Sequence, residues 1–501
     1  MATSLADHFL GHAQSEPSAP ALIWQGEAIS YGALQEMAAA AEAEVARLDL
    51  PLDRPVGIRA KKSPKAIALV LACLKAGRPF MLPSVELPPE ILDQLFAQGA
   101  ASRVLSPGEP SSNGGGLAAS EVQSDEPAEW PPPSTDVSFM LTTSGSTGLP
   151  KIVPLAPAGV DRFTDWAAAQ FEIRPGTTVI NYAPLNFDLC LLDIWSTLKA
   201  GGCVALVDQD QATSGGYLAD LITDHDVSVV QAVPMLYRLL IDVARDDGRT
   251  FPSVRHAITT GDKMPATTLK ELPALFPNAR FFNIYGCTET NDSLMHELDL
   301  SGGDVPMQIP IGQPLPGVDA RIQTEAGEVV EGEGVGELLV CTPFQTQGYL
   351  KASLNEGRFI DYPDGNGGQK RYYRTGDVVR RHGDGSVTLE GRSDFYVKVR
   401  GVRVSTQVVE QAIQEHPDVI EVAVVAVPDE LAGSRLHAEV RREPDSKLNS
   451  LSLRQHCSSR LARTEMPSSI QIVTEPLPKT STGKIDRKQI GPQKERARAN
   501  G

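Results

Sequence analysis

Between Val179 and Ile284, short apolar runs alternate with amphipathic stretches. Val179–Ala183, Cys203–Val207, Val227–Val233, His256–Thr260 and Arg280–Ile284 are continuous enough to predict buried strands. The intervening segments Leu189–Leu198, Tyr217–Ile222, Met235–Ala244 and Thr267–Leu275 carry helical spacing, the first ending at Gly201-Gly202. Strand alternating with helix predicts βαβ units and a mostly parallel sheet. Val137–Leu141 reads as a further buried strand. After about Arg321 the pattern shifts to short strands with Gly-rich turns such as Gly332-Glu333-Gly334 and Gly383-Asp384-Gly385. Beyond Ser393 a compact α+β segment is predicted: a helix near Val408–Ile413, a strand over Val422–Val427 and a helix over Leu453–Leu461. Ser106–Asp136, rich in Pro, Gly, Ser and Glu, predicts a long exposed connection.

A chain of 501 residues exceeds one ordinary domain, and 41% hydrophobic with 22% charged residues suits a globular enzyme with ample core. The longest apolar run, Ala66–Leu74, lies between Lys65 and Lys75 and is far too short to span a bilayer. The first residues carry no basic segment of a secretory leader. The six cysteines lie far apart without a C-x-x-C pair, which argues against a disulfide framework or a zinc site and predicts a reducing, cytoplasmic setting. A net charge of −17 argues against nucleic acid as the main partner. The charge is uneven: from Ser393 onward there are 17 Lys and Arg against 14 Asp and Glu, a local excess of +3. A basic tail on an acidic body predicts separate modules.

Candidate chemistry concentrates in five motifs. Thr142-Thr143-Ser144-Gly145-Ser146-Thr147-Gly148-Leu149-Pro150-Lys151 places hydroxyls and glycines where backbone N–H groups can approach an anion. It departs from an ordinary P-loop, because Leu149-Pro150 separates the last Gly from Lys151. Asn283-Ile284-Tyr285-Gly286-Cys287-Thr288-Glu289-Thr290 follows a strand and offers an aromatic face, a glycine, a hydroxyl and a carboxylate able to hold Mg²⁺. Tyr373-Arg374-Thr375-Gly376-Asp377 presents an Asp after a tight turn, suited to two ribose hydroxyls or, alternatively, to its own backbone. Gly391-Arg392-Ser393-Asp394-Phe395-Tyr396-Val397-Lys398-Val399-Arg400-Gly401 and Pro478-Lys479-Thr480-Ser481-Thr482-Gly483-Lys484 complete the set.

In this order and at these separations the motifs resemble those of the adenylate-forming enzymes: acyl-CoA synthetases, luciferases and nonribosomal peptide adenylation domains. Ile29-Ser30-Tyr31, Leu74-Lys75-Ala76-Gly77, Gly336-Glu337-Leu338 and Gly348-Tyr349-Leu350 fit as well, so the resemblance covers nearly the whole chain. It implies an α/β fold: a large N-terminal domain (1–392) of mostly parallel sheets wrapped by helices, with a β-rich part at about 305–392. A small mobile α+β C-terminal domain (393–501) would be hinged at Asp394. It further implies that a carboxylate attacks the α-phosphate of ATP, giving an acyl-adenylate and pyrophosphate. Thr143, Ser144, Gly145, Ser146, Thr147, Gly148 and Lys151 would cradle the β- and γ-phosphates. Tyr285 would stack on adenine beside Asn283, Gly286 and Cys287, Thr288 would contact the α-phosphate, and Glu289 would hold Mg²⁺. Asp377 and Arg392 would fix the ribose. Lys484 would bridge substrate carboxylate and α-phosphate, and Lys398 would serve the second half-reaction.

Asn186-Phe187-Asp188-Leu189-Cys190-Leu191-Leu192-Asp193 resembles the stretch by which amino-acid-activating members bind substrate, with Asp188 facing the ammonium group. A carboxylate in an apolar pocket calls for a cation; the alternative is a helix N-cap. By the same resemblance Leu189, Leu192, Gln231, Ile258, Thr260, Gly261, Ile284, Asp292 and Ser293 line the pocket. Branched residues suit a small or medium side chain, and Gln231 and Asp292 admit a hydroxylated, basic or β-amino substrate.

Two departures stand out. Where family members usually read Arg-Ile-Glu-Leu-Gly-Glu, this chain has Arg403-Val404-Ser405-Thr406-Gln407-Val408, and Cys287 replaces a common Pro. The absence of an attachment-site segment after Lys484 predicts a free-standing ligase that loads a separate phosphopantetheinylated carrier protein, or coenzyme A, with neither nucleic acid nor membrane as partner. An acyl-CoA ligase for a small carboxylic acid is the competing reading. A Ser-x-x-Lys hydrolase on Ser481 and Lys484 lacks the rest of its motif set.

Overall fold

The computed structural model describes residues 4–52, 54–108, 117–122, 136–143, 149–302, 308–364, 368–392, 396–399, 402–429, 433–458, 460–461, 463, 465–479 and 485–491. The chain divides into two compact units: Met1–Arg321 with Leu339–Thr375 and Arg381–Thr388, and Ile322–Leu338 with Gly376–Arg380 and Leu389–Gly501.

The large unit is built on two sheets. In the nine-stranded sheet the strands lie in the order Gln313–Pro314, Asn291–Leu298, Arg280–Cys287, His256–Thr259, Val229–Ala232, Thr178–Asn181, Cys203–Leu206, Pro20–Trp24, Glu27–Ser30. The six strands from Arg280–Cys287 to Pro20–Trp24 are mutually parallel, and the strands at both ends are antiparallel. The helices Pro234–Asp247 and Ala266–Leu275 connect parallel neighbours, and Gly215–Asp224 links Cys203–Leu206 to Val229–Ala232 past the intervening strand Thr178–Asn181, as crossover geometry requires. The six-stranded sheet runs Leu117–Ser120, Val104–Pro107, Val56–Ile58, Phe80–Met81, Phe139–Thr143, Lys151–Leu155. The predicted mixed α/β architecture with mostly parallel sheets is therefore observed. Within the predicted connection Ser106–Asp136, however, Leu117–Ser120 is a strand paired antiparallel with Val104–Pro107. Its largely exposed, small side chains gave no apolar alternation to reveal it.

The segment Leu191–Ser196 is wound as a π-helix that continues into Thr197–Lys199, and all of its residues are buried. Single π turns of this kind gather at functional sites, and this one begins three residues after Asp188. A five-stranded sheet has the order Asp319–Gln323, Gly334–Cys341, Gln369–Arg381, Phe359–Pro363, with Val387–Arg392 also paired to Gln369–Arg381. In the small unit, the hairpin Tyr396–Val399 and Val402–Ser405 precedes a helix over Thr406–Gln414. Strands Val419–Asp429, Gly433–Arg442 and Ser469–Val473 form a sheet, and a second helix spans Ser450–Ser458.

The topology fixes where chemistry can sit. Asn181, Gln231, Thr259 and Ile284 lie at or near the carboxyl ends of successive parallel strands. Open parallel sheets bind ligands at that edge.

Candidate functional site

Asp188 stands in the turn between strand Thr178–Asn181 and the π-helix. Its Oδ1 accepts from the Leu189 amide at 3.1 Å, and its carboxylate also accepts from the Thr288 hydroxyl. Burial raises its pKa, the Thr288 bond opposes this, and the neighbouring charge of Glu289 raises it further. Residues from two motifs 100 positions apart are thus brought together: Asp188 with Thr288 and Glu289. Leu192, Ile258 and Ile284 belong to one buried cluster with Leu189 packed at its margin, so the apolar wall read from the sequence is contiguous.

The polar residues of that wall differ in what they are free to do. Gln231 Nε2 donates to Leu189 O at 3.1 Å and to Asp193 Oδ1 at 3.0 Å. Ser293 Oγ lies 3.0 Å from both Thr290 Oγ1 and Asn291 O. Asp292, half-buried opposite Gly286 in the hairpin, makes no side-chain hydrogen bond among the described residues. Burial, with Asp188 nearby, pushes its carboxyl up to about 8. Between the ordinary aspartate pKa and 8 the folded protein holds a proton that the unfolded chain releases, so this group costs stability as pH rises through that window. Asp292→Asn is therefore expected to raise the melting temperature by an amount that grows from pH 5 to pH 8, reaching a few °C, and then levels off. Differential scanning fluorimetry across pH checks this; a gain independent of pH contradicts it.

Beneath the pocket lies a network that the motifs did not reveal. Asp193 is fully buried, with Oδ2 accepting from Asn181 Nδ2 at 3.1 Å and Oδ1 from Gln231. Burial holds its carboxyl well above the usual range. Lys62, also buried, donates its ammonium hydrogens to Asn181 O at 2.8 Å and Ala183 O at 2.9 Å, pinning the loop that leads to Asp188. Burial lowers its pKa to about 8. Asp193 was visible in sequence as the end of the Asn186–Asp193 motif, whereas Lys62, one of two adjacent lysines, carried no signal.

Thr143 and Lys151 face each other across the antiparallel pair Phe139–Thr143 and Lys151–Leu155, so the loop joining them is anchored at both ends. Ser144, Gly145, Ser146, Thr147 and Gly148 lie outside the described residues. Lys151 Nζ donates to Tyr349 Oη at 3.3 Å and sits 4.5 Å from the centre of that ring. Glu289, 6% exposed, accepts from Tyr349 Oη at 2.6 Å. Asn283 donates through Nδ2 to Pro310 O at 2.8 Å. Tyr285 is largely buried on its strand. A side chain at Gly286 would collide with the backbone of Asn291 and Asp292, so the hairpin itself demands glycine there, whatever ligand approaches. Cys287 Sγ and Thr290 Oγ1 are 3.3 Å apart. Gly261 has φ +79°, a backbone state that favours glycine.

In the small unit Asp377 Oδ1 accepts from Arg392 Nη1 at 3.0 Å, so the two residues expected at a ribose are paired. The expected tight turn before Asp377 is absent: Tyr373–Asp377 lies within the continuous strand Gln369–Arg381, with Gly376 at φ +76°. A glycine that bends a strand and one that makes a turn read alike in sequence. The departures just after the fourth motif also acquire roles. Ser405 Oγ caps the helix by accepting from the Val408 amide at 3.4 Å, and Gln407 Oε1 accepts from the Arg392 amide at 3.1 Å. Lys398 lies on the strand Tyr396–Val399, and its side chain is not described. Lys484 and Asp394 lie outside the described residues.

A family model described as AMP-binding enzyme matches residues 9–350, and one described as AMP-binding enzyme C-terminal domain matches residues 408–484. The chain belongs to the AMP-binding enzyme family. Among the relatives of this AMP-binding enzyme is the L-proline--[L-prolyl-carrier protein] ligase of Pseudomonas fluorescens, 29% identical and aligned over 96% of this chain and 97% of its own. The D-alanine--D-alanyl carrier protein ligase of Bacillus licheniformis is 26% identical over 96% and 97%. The fold matches o-succinylbenzoate CoA synthetase from Bacillus subtilis, with a TM-score of 0.80 at 20% identity, covering 96% of this chain and 97% of that one. The adenylate-forming reading of the motifs thus holds for the family. Among the described residues no helix is long and apolar enough to cross a membrane.

Proposed function

We propose that this enzyme activates an amino acid as its adenylate and passes it to the phosphopantetheine thiol of a separate carrier protein. The observation that carries the reading is Asp188: a carboxylate drawn up by burial, beside an apolar wall and next to Glu289, which an incoming ammonium group would neutralise. Two relatives aligned almost end to end are ligases that act on carrier proteins, which supports a carrier-protein acceptor. Asp292 refines the substrate. With Gln231 and Ser293 engaged by the protein, its carboxyl is the group left to meet a donor on the substrate, which favours a short side chain ending in an amino group.

Glu289 would hold Mg²⁺. Among the described residues no group of three or more His, Cys, Asp or Glu is placed to cage a metal. That suits a Mg²⁺ held by one carboxylate together with substrate phosphate oxygens and water. Bound there, the ion would offset phosphate charge. The protein's own part would be to orient: Lys151 would serve the departing pyrophosphate and Thr288, bonded to Asp188, the α-phosphate; the separate Asp377–Arg392 pair would serve the ribose.

ATP–pyrophosphate exchange with α-amino, β-amino, diamino and amine-free acids tests the proposal, followed by mass analysis of the thioester on carrier protein and on coenzyme A. Exchange is expected with amino acids, strongest for a short diamino acid, and thioester on the carrier. Exchange with amine-free acids alone, and thioester on coenzyme A, would instead establish an acyl-CoA ligase.

A further inference from the structure

The Gly348-Tyr349-Leu350 element enters neither the phosphate loop nor the metal site, yet its tyrosine touches both. Tyr349 is wholly buried. A phenol has one proton to donate and two lone pairs to accept with, and here all three are taken. The proton goes to Glu289 Oε1 at 2.6 Å. The two lone pairs receive Lys151 Nζ at 3.3 Å and, since the Tyr349 proton is already committed, the hydroxyl of Tyr373 at 3.0 Å. The spans of 3.3 Å and 2.6 Å laid end to end put Lys151 Nζ within 5.9 Å of the Glu289 carboxylate.

The ring is held as firmly as the hydroxyl. Phe359 packs edge-on to it at 5.8 Å, and the Tyr349 amide and carbonyl both bond the Asn355 side chain. The backbone around it forms a strap between the two sheets. Thr346 N donates to Glu289 O at 2.9 Å, while Leu350 N donates to Ile152 O at 3.0 Å, one residue beyond Lys151. The strap and the Tyr349 hydroxyl therefore both run from the Glu289 turn on one side to the Lys151 strand on the other.

We infer that Tyr349 is a positioning residue that locks the carboxylate of Glu289 and the ammonium of Lys151 to one another, so that metal and phosphate subsites are set as a single unit. The inference rests on the roles proposed above for those two residues.

The test is Mn²⁺ binding to the enzyme–ATP complex without amino acid, followed by electron paramagnetic resonance, alongside the Mg²⁺ dependence of pyrophosphate exchange and thermal melting. Tyr349→Phe keeps the ring and removes the hydroxyl. Losing the partner that orients a metal-binding carboxylate is expected to weaken Mn²⁺ binding by about 10- to 100-fold, with the KM for the amino acid and the melting temperature close to wild type. Glu289→Gln is the reference. If it leaves Mn²⁺ binding unchanged, the metal assignment itself falls. If it weakens binding while Tyr349→Phe matches wild type, the inference falls alone. Should Tyr349→Phe fail to fold, Tyr373→Phe withdraws only the proton that orients Tyr349; weaker Mn²⁺ binding is expected there too, and wild-type binding overturns the inference.

Discussion

Asp188→Asn is expected to lower kcat/KM for the amino acid in pyrophosphate exchange by roughly 10²- to 10³-fold, while the fold survives. Removing one partner of a buried charge pair costs about 3–5 kcal/mol, because the other charge is left without compensation. On the proposed reading the abandoned charge would be the substrate ammonium, left beside the apolar cluster that holds Leu192, Ile258 and Ile284. Asparagine is the informative replacement. Its oxygen can still accept from the Leu189 amide, the bond that Asp188 makes at 3.1 Å, so any contribution to the start of the helix is retained. The amine-free analogue of the substrate should lose no activity in the variant and can gain some, since it no longer meets an uncompensated carboxylate. Wild-type kcat/KM in Asp188→Asn would leave only the helix-capping role.

The βαβ core was legible because its strands are continuous apolar runs. Val179, Val204, Val230 and Ile258 occupy parallel strands covered on both faces, which produces a pattern no surface segment shares. Glu289 and Asp188 were legible for a different reason: each sits in a short motif immediately after such a strand, where this topology puts ligands. What stayed hidden depends on contacts across sequence distance. Lys62 meets Asn181 and Ala183 about 120 residues away, and nothing around it distinguishes it from Lys61, which pairs with Asp210 at the surface. Tyr349 could be quoted as part of a motif but not given work, because its partners lie at positions 151, 289 and 373.

Some residues were legible for the wrong reason. Gly286 is required by the Asn291 backbone packed against it, and Gly376 by a bend within a strand. A glycine in a motif reports that something approaches closely; whether ligand or backbone is a tertiary fact. Likewise Ser405 looked like a lost acid just after the fourth motif and proves to cap the helix that follows.

Lys484→Ala is expected to abolish adenylate formation, by at least the roughly 10²- to 10³-fold that removal of one oriented donor costs, yet to spare thioester formation from supplied aminoacyl-adenylate. The charge arrangement of the large unit is the reason. It gathers the carboxylates of Asp188, Glu289 and Asp292, and the proposed substrates are themselves a carboxylate and a polyphosphate. Lys62 cannot answer that charge from where it sits, because its hydrogens are engaged by backbone carbonyls, and Lys151 is held at Tyr349, where its proposed task is the departing pyrophosphate. Moving a carboxylate onto the α-phosphate brings two anions into contact, and the barrier falls only if a cation stands where the new bond forms. On the proposed reading, Mg²⁺ held at Glu289 would supply part of this, and Lys484 would supply the rest. Transfer from a preformed adenylate no longer joins two anions, so it does not need that lysine. Exchange and transfer assayed separately on one preparation decide the matter: equal losses in both would make Lys484 structural, and undiminished exchange would remove it from the chemistry.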